Sequence, residues 1–212
     1  MNIKAVIFDL DGVIVSTDEC HYLAWEKMAN EENIYFDKEI NNRLRGVSRM
    51  ESLEIVLEKS KKIYTDEEKV HLAEHKNSYY VEYISKLTPD AILDGVMSNL
   101  ECLKENGIKI AIGSSSKNTP LILKQIGLGN YFDAISDGNN ITNSKPDPEV
   151  FVKAAQMLDI DCENCMIVED ADAGIIAGKA CGMKTLSVNG AQGADYFFDN
   201  LIGNSIYDLI NI

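Results

Sequence analysis

The chain has 212 residues, 45% hydrophobic and 25% charged, which fits one large globular domain or a core domain carrying a smaller one. Its formal net charge of -14 argues against nucleic-acid binding, which rests on a basic surface; an anionic small substrate would need a local cluster of Lys, Arg and backbone N–H groups to overcome the average field. No apolar run approaches the roughly 18–20 residues that span a bilayer, and the opening MNIKAVIF lacks the long apolar region and cleavage site of a signal peptide, so a cytoplasmic location is expected.

In chain order, the first apolar run covers residues 3–8 and leads into Asp9-Leu10-Asp11-Gly12-Val13. The run predicts a buried strand. In an extended chain residues i and i+2 point to the same side, so Asp9 and Asp11 are expected to face one site, with Gly12 permitting a sharp turn. Taken alone, the pair could equally be a surface turn in which Asp caps the next helix. From residue 17 to 87 only helical periodicity is evident, as in Leu53, Val56 and Leu57, then Val70, Ala73 and Asn77. The expected division is therefore a core made of 1–16 and 88–212, interrupted by a small helical domain over 17–87.

A second strand is predicted over 108–113, followed by Ser114-Ser115-Ser116-Lys117-Asn118, whose hydroxyls and N–H groups could cradle a phosphate at a helix N-terminus. Pro120 fits the first turn of that helix, with Asn118 or Thr119 as cap and Leu121, Ile122 and Ile126 on its apolar face. Gly107 and Gly127 are expected helix stops. After a third strand over 132–136, Ser144-Lys145-Pro146-Asp147-Pro148 holds a lysine in a stiff turn. There Asp147 is the expected cap, Pro148 the first turn, and Phe151, Ala154, Ala155 and Leu158 the buried face of the next helix. A fourth run, 166–169, ends at Glu169-Asp170-Ala171-Asp172-Ala173-Gly174, and a fifth covers 183–188. Short Val/Ile-rich runs between amphipathic segments predict an α/β fold, a Rossmann-like doubly wound parallel sheet covered on both faces. The five cysteines are odd in number and scattered, and Cys162-Glu163-Asn164-Cys165 has no second pair to complete a zinc site, so reduced thiols are expected.

Sites in open parallel sheets lie beyond the carboxyl ends of the strands, where four of these stretches fall. Singly, each has a plain explanation as a helix cap, a solvated lysine or an acidic turn. Together and in this order, they supply a nucleophilic carboxylate, a hydroxyl loop, a lysine and an acidic metal site. Phosphoryl transfer through an aspartyl phosphate requires that set.

With DLDGV, SSSKN, the lysine of SKPDP and VEDADAG in order, the chain resembles the haloacid dehalogenase (HAD) superfamily of phosphotransferases, and the insertion over 17–87 resembles that family's small cap domain. A narrower resemblance, to the family's β-phosphoglucomutase branch, rests on Thr17, His21 and Trp25, on Gly46-Val47-Ser48-Arg49-Met50-Glu51-Ser52, on His75-Lys76-Asn77 and on SSSKN.

The resemblance implies an isomerase acting on β-D-glucose 1-phosphate and glucose 6-phosphate, with β-glucose 1,6-bisphosphate as intermediate and activator. It implies Mg²⁺ held by Asp9, the Asp11 carbonyl, Glu169 and Asp170. Asp9 is then the nucleophile and Asp11 the general acid and base, while Ser114 and Lys145 hold the transferring phosphoryl group. Arg49, with Ser116, Lys117 and Asn118, would hold the other phosphate. His21 and Lys76 would position Asp11, and Thr17, Trp25, Gly46, Val47, Ser48 and Ser52 would complete the sugar pocket. A monomer with a small phosphorylated sugar as its partner is expected. The alternatives are a sugar-phosphate phosphatase of the same superfamily and a non-catalytic phosphosugar sensor; the intact Asp9, Asp11, Lys145 and Asp170 set speaks against the sensor.

Overall fold

The computed structural model describes residues 2–44 and 47–211. These divide into two compact units: Met1–Ser16 with Thr88–Ile212, and Thr17–Leu87.

The first unit is built on six parallel strands: β1 (Ala5–Phe8), β2 (Lys109–Gly113), β3 (Ala134–Ser136), β4 (Cys165–Glu169), β5 (Lys184–Val188) and β6 (Tyr196–Phe198). Their order across the sheet is β3-β2-β1-β4-β5-β6. β1 is central because every residue of AVIF is apolar and buried, as a strand covered on both faces must be. It pairs Ala5 with Lys109 on one side and with Cys165 on the other.

Helices α5 (Val96–Glu105), α6 (Thr119–Gln125), α7 (Glu149–Leu158), α8 (Asp172–Ala180) and α9 (Ile206–Ile210) belong to this unit, their numbers following those of the four helices of the second. On one face Ala5, Ile7, Ala111 and Ile167 pack with Phe151, Ala154 and Ile175 from α7 and α8. Fully burying a side chain such as Ile7 or Phe151 contributes roughly 1.5–3 kcal/mol.

The second unit holds α1 (Asp18–Glu31), α2 (Lys38–Asn42), α3 (Arg49–Leu57) and α4 (Asp66–Ile84). α3 and α4 each begin with a reciprocal capping box, Ser48 with Glu51 and Thr65 with Glu68, which satisfies two otherwise orphaned N–H groups at each start. α4 buries Leu72, Ala73, Lys76, Tyr80 and Ile84, a stripe at helical spacing. Trp25, Met28, Leu53, Val56 and Leu72 form this unit's own core.

Two local expectations are corrected. Helix α7 starts one residue later than its proline suggests: Pro148 is the N-cap, and Asp147 accepts from the Glu149 N–H at 2.9 Å from just outside it. The strand β6 is additional to the five read from the sequence. It follows β5 across residues 189–195 with no intervening helix, an unusually short link for parallel strands, so no periodic signal announces it. Gly107 and Gly127 do end α5 and α6, with left-handed φ of 75° and 81°.

Candidate active site

From β1 the chain proceeds to β2 and β3 on one side, then crosses to β4 on the other, so the sheet's switch point lies between the carboxyl ends of β1 and β4. Asp9 is the first residue beyond β1, and Glu169 is the last of β4. The Asp9 N–H donates to the Val168 carbonyl at 3.0 Å, which keeps its Cα in register with β4. The strand has ended by Asp9, so a turn and not an extended strand presents Asp11. Within it the Gly12 N–H donates to the Val15 carbonyl at 2.8 Å, and Gly12 holds φ at 84°. A Cβ at Gly12 would collide with the Asp170 carboxylate, so the glycine is needed for space as well as for conformation.

Lys145, carried before α7, donates to Asp9 Oδ1 and to Glu169 Oε1, both at 2.5 Å. Its side chain is 10% exposed, with Asp9 at 12% and Glu169 at 1%. Burial alone would lower the lysine's pKa, but the carboxylates of Asp9 and Glu169 hold it above the ordinary value. Its ammonium also lies 4.7 Å from the centre of the Phe151 ring. Glu169 Oε2 accepts from the Asp170 and Ala171 N–H groups at 3.1 and 3.2 Å, and Gly174 leaves the space its carboxylate fills.

Asp9, Glu169 and Asp170 each offer an oxygen within 4.8 Å of the others. Burial first, then repulsion from Asp9 and Glu169, pushes Asp170 up to about 8; burial also raises Glu169. Lys145 offsets one of the three negative charges, and what remains matches a divalent cation. Oxygen-only donors suit a hard one, so the residues fit the metal that the acidic set implies.

A sign follows for the metal-free protein. Asp170 keeps its proton up to about pH 8 when folded but would lose it near its ordinary carboxylate value when unfolded, so the folded state binds more protons in between. Stability in chelator is expected to fall as pH rises through that window, and a divalent cation should flatten the trend. Urea denaturation at several pH values, with and without Mg²⁺, measures both.

Ser114, just past β2, is buried, and its Oγ accepts from the Ser116 N–H at 3.2 Å. Ser116 Oγ likewise accepts from the Asn118 N–H at 3.2 Å. The Ser116 and Asn118 N–H groups are thus engaged within the loop. Lys117 is exposed beside them.

In the helical unit, Lys76 Nζ lies 2.9 Å from His21 Nδ1, and 4.7 and 4.8 Å from the rings of Trp25 and Tyr80. Burial, then the charges of Lys76 and Arg49, drive the His21 pKa well below its ordinary value. Its imidazole is therefore neutral, Nδ1 accepts from the ammonium, and the proton sits on Nε2. Tyr80 stacks on His21 at 4.1 Å and donates to Thr17 Oγ1 at 3.0 Å.

Arg49 Nη2 donates to Asn77 Oδ1 at 2.8 Å. Ser48 spends its hydroxyl on the α3 cap, Ser52 is buried, Val47 is exposed, and Trp25 packs in the unit's core. Gly46 lies outside the described residues. Sequence reading missed Phe151 and Tyr80 as neighbours of site residues; the available signal for Tyr80 was its place one turn after Lys76.

The family profile described as haloacid dehalogenase-like hydrolase matches residues 3–182. The β-phosphoglucomutase of Bacillus subtilis strain 168 is 46% identical over 197 residues, covering 91% of this chain and 87% of that one. A phosphorylated carbohydrates phosphatase of Thermotoga maritima is 29% identical, covering 86% and 83%. The crystal structure of a β-phosphoglucomutase from Clostridium difficile superposes with a TM-score of 0.89 at 40% identity, over 99% of this chain and 96% of that one. With its acids at the sheet's switch point and that match over most of its length, the chain belongs to the haloacid dehalogenase-like hydrolase family.

Proposed function

We propose that the chain interconverts β-D-glucose 1-phosphate and glucose 6-phosphate as a Mg²⁺-dependent phosphomutase, through an aspartyl phosphate on Asp9 and β-glucose 1,6-bisphosphate. The observation that carries the reading is the buried Asp9–Lys145–Glu169 grouping at the switch point, in a chain similar to bacterial β-phosphoglucomutases. A carboxylate attacks an anionic phosphoryl group slowly unless charge is neutralised around it. Lys145 supplies part of that neutralisation, and Mg²⁺ held by Asp9, Glu169, Asp170 and the Asp11 carbonyl would supply the rest. Asp9 attacks phosphorus as the bond to the sugar oxygen breaks, and Asp11 protonates the departing oxygen. Asp11 then takes the proton from the hydroxyl that attacks the aspartyl phosphate.

Ser114 donates to the transferring group, while Arg49 with Ser116, Lys117 and Asn118 grips the second phosphate. In this reading His21, whose Nδ1 lies 2.9 Å from Lys76 Nζ, and Lys76 serve to position the carboxyl of Asp11. Thr17, Trp25, Val47, Ser48 and Ser52 complete the sugar site, and the helical unit serves as a cap that excludes water from the phosphoenzyme. The protein is read as a cytoplasmic monomer; among the described residues no helix is long and apolar enough to cross a membrane.

Replacing Asp11 by Asn should leave Mg²⁺ binding intact, since a backbone carbonyl is the ligand there, and cost turnover at least about 10²-fold. Near-native turnover would sink the acid–base role. Arg49→Ala should weaken bisphosphate handling far more than hydrolysis of acetyl phosphate; equal losses in a competition assay would count against the second-phosphate grip. The decisive measurement for the whole reading is ³¹P NMR of β-glucose 1-phosphate with enzyme, Mg²⁺ and a trace of bisphosphate. Conversion to glucose 6-phosphate without phosphate release supports the mutase. Steady release of inorganic phosphate would instead favour a phosphatase, as the name of the Thermotoga relative suggests for that protein.

A further inference from the structure

The helical unit carries a second group of potential ligands that the proposed reaction does not use. On α4 the stretch His71-Leu72-Ala73-Glu74-His75 puts two histidines four residues apart, and so on one helical face. This is the HxxEH spacing with which a helix can hold zinc between two imidazoles. Both histidines are exposed, with ring centres 6.2 Å apart. The carboxylate of Glu31, at the end of α1, lies beside His75, with Oε2 at 3.6 Å from His75 Nδ1.

The surrounding hydrogen bonds fix which His75 nitrogen is available. Tyr79 donates its hydroxyl proton to Glu31 Oε1 at 2.6 Å, and its oxygen lies 2.9 Å from His75 Nε2. Glu31 holds that phenol proton firmly enough to push Tyr79 up to about 12. With its only proton committed, the Tyr79 oxygen accepts from Nε2–H, which leaves the Nδ1 lone pair directed toward a carboxylate oxygen. Two acceptors in that relation repel unless a proton or a metal cation lies between them. A tetrahedral zinc ion with bonds of about 2.1 Å holds neighbouring ligand atoms about 3.4 Å apart, close to the observed separation.

We propose that His71, His75 and Glu31 form a surface site for a borderline divalent transition cation such as Zn²⁺, chemically distinct from the hard-cation site on the sheet. His75 Nδ1 and Glu31 Oε2 are already placed, and His71 joins by rotation of an exposed side chain. Imidazole nitrogens favour zinc over magnesium, whereas the all-oxygen set of Asp9, Glu169 and Asp170 suits a hard cation such as Mg²⁺. Tyr79 is the outer partner that orients the ligating carboxylate and sets the imidazole tautomer, as outer partners of zinc ligands commonly do. The cation would also sit at the C-terminal end of α1, where the helix dipole favours positive charge. Bound there, it ties α1 to α4.

The test is calorimetric titration of the full chain with Zn²⁺ in saturating Mg²⁺, beside the variants His71→Gln, His75→Gln and Glu31→Gln, with ring-proton NMR of the histidines followed in parallel. The expected result is one zinc equivalent whose affinity falls at least about tenfold in each variant, with His71 and His75 ring signals shifting as zinc is added. Binding that is unchanged in the histidine variants would place the zinc on thiols or on the magnesium site and overturn the proposal. So would an absence of binding in the parent protein, and a Glu31→Gln variant that binds like the parent would overturn the three-ligand set.

Discussion

An Asp9→Asn variant is expected to fold like the parent and to lose turnover by at least about 10⁴-fold, or about 5.5 kcal/mol of transition-state stabilisation. The amide keeps the shape of the carboxylate at the end of β1 but cannot attack phosphorus. None of the neighbouring acids is expected to take over: Glu169 is held by Lys145 and by two backbone N–H groups, Asp170 would belong with the cation, and Asp11 would be engaged in proton transfer. Removing one charge also relieves repulsion on Asp170, so stability in chelator should not fall in step with activity. A coupled assay of glucose 6-phosphate formation, with thermal unfolding as the control for folding, measures both. Turnover close to the parent's in a folded Asp9→Asn protein would remove Asp9 as nucleophile. Losing activity and stability together would mean that the variant reports on folding alone.

Lys145→Ala should cost folding stability as well as activity. The lysine is the cation shared by Asp9 and Glu169, and truncation leaves two buried carboxylates facing each other without their counter-ion. Breaking a buried pair in this way typically costs about 3–5 kcal/mol. The cost should be greatest at neutral to alkaline pH in chelator, where both acids would be charged, and should shrink on acidification as they take up protons. Saturating Mg²⁺ should restore part of the loss by binding the folded state preferentially. Urea denaturation at two pH values, with chelator and with Mg²⁺, gives these comparisons. A loss independent of both pH and Mg²⁺ would show that the side chain matters for packing against Phe151 and not as a counter-ion.

The polypeptide advertised its chemistry well in some places and poorly in others. AVIF at the first strand, the serine loop after the second and VED at the fourth are local signals, since each couples a largely apolar strand to polar residues at its carboxyl end. Parallel sheets in which both faces are covered produce such runs. β6 gave no signal of this kind. It is three residues long, lies at the sheet edge, leaves Phe197 55% exposed, and is reached without a helix.

At the site, the identity of Asp9, Lys145, Glu169 and Asp170 as a chemical set was legible because phosphoryl transfer needs those residue types in that order. Their arrangement was not. That one ammonium bridges Asp9 and Glu169 while Asp170 is left with a carboxylate pushed up to about 8 depends on residues 136 and 24 positions apart in sequence meeting at one switch point. In the same way, a helical reading places His21 and Lys76 on different helices, and packing of α1 against α4 makes one the acceptor of the other.

The sequence by itself therefore determined the class of fold, the strands of its centre, the helical periodicity of residues 17–87 and the residue types that meet at the sheet's switch point. Each of these is written in local periodicity or in a short motif. Tertiary structure decided the strand order, the turn that presents Asp11, the raised pKa of Asp170 and the lowered one of His21, and the partners of the Ser116 and Asn118 N–H groups. Those properties arise from burial and from contacts between distant segments, and neither the desolvation of a charge nor the partner of a proton exists until the chain has closed around it.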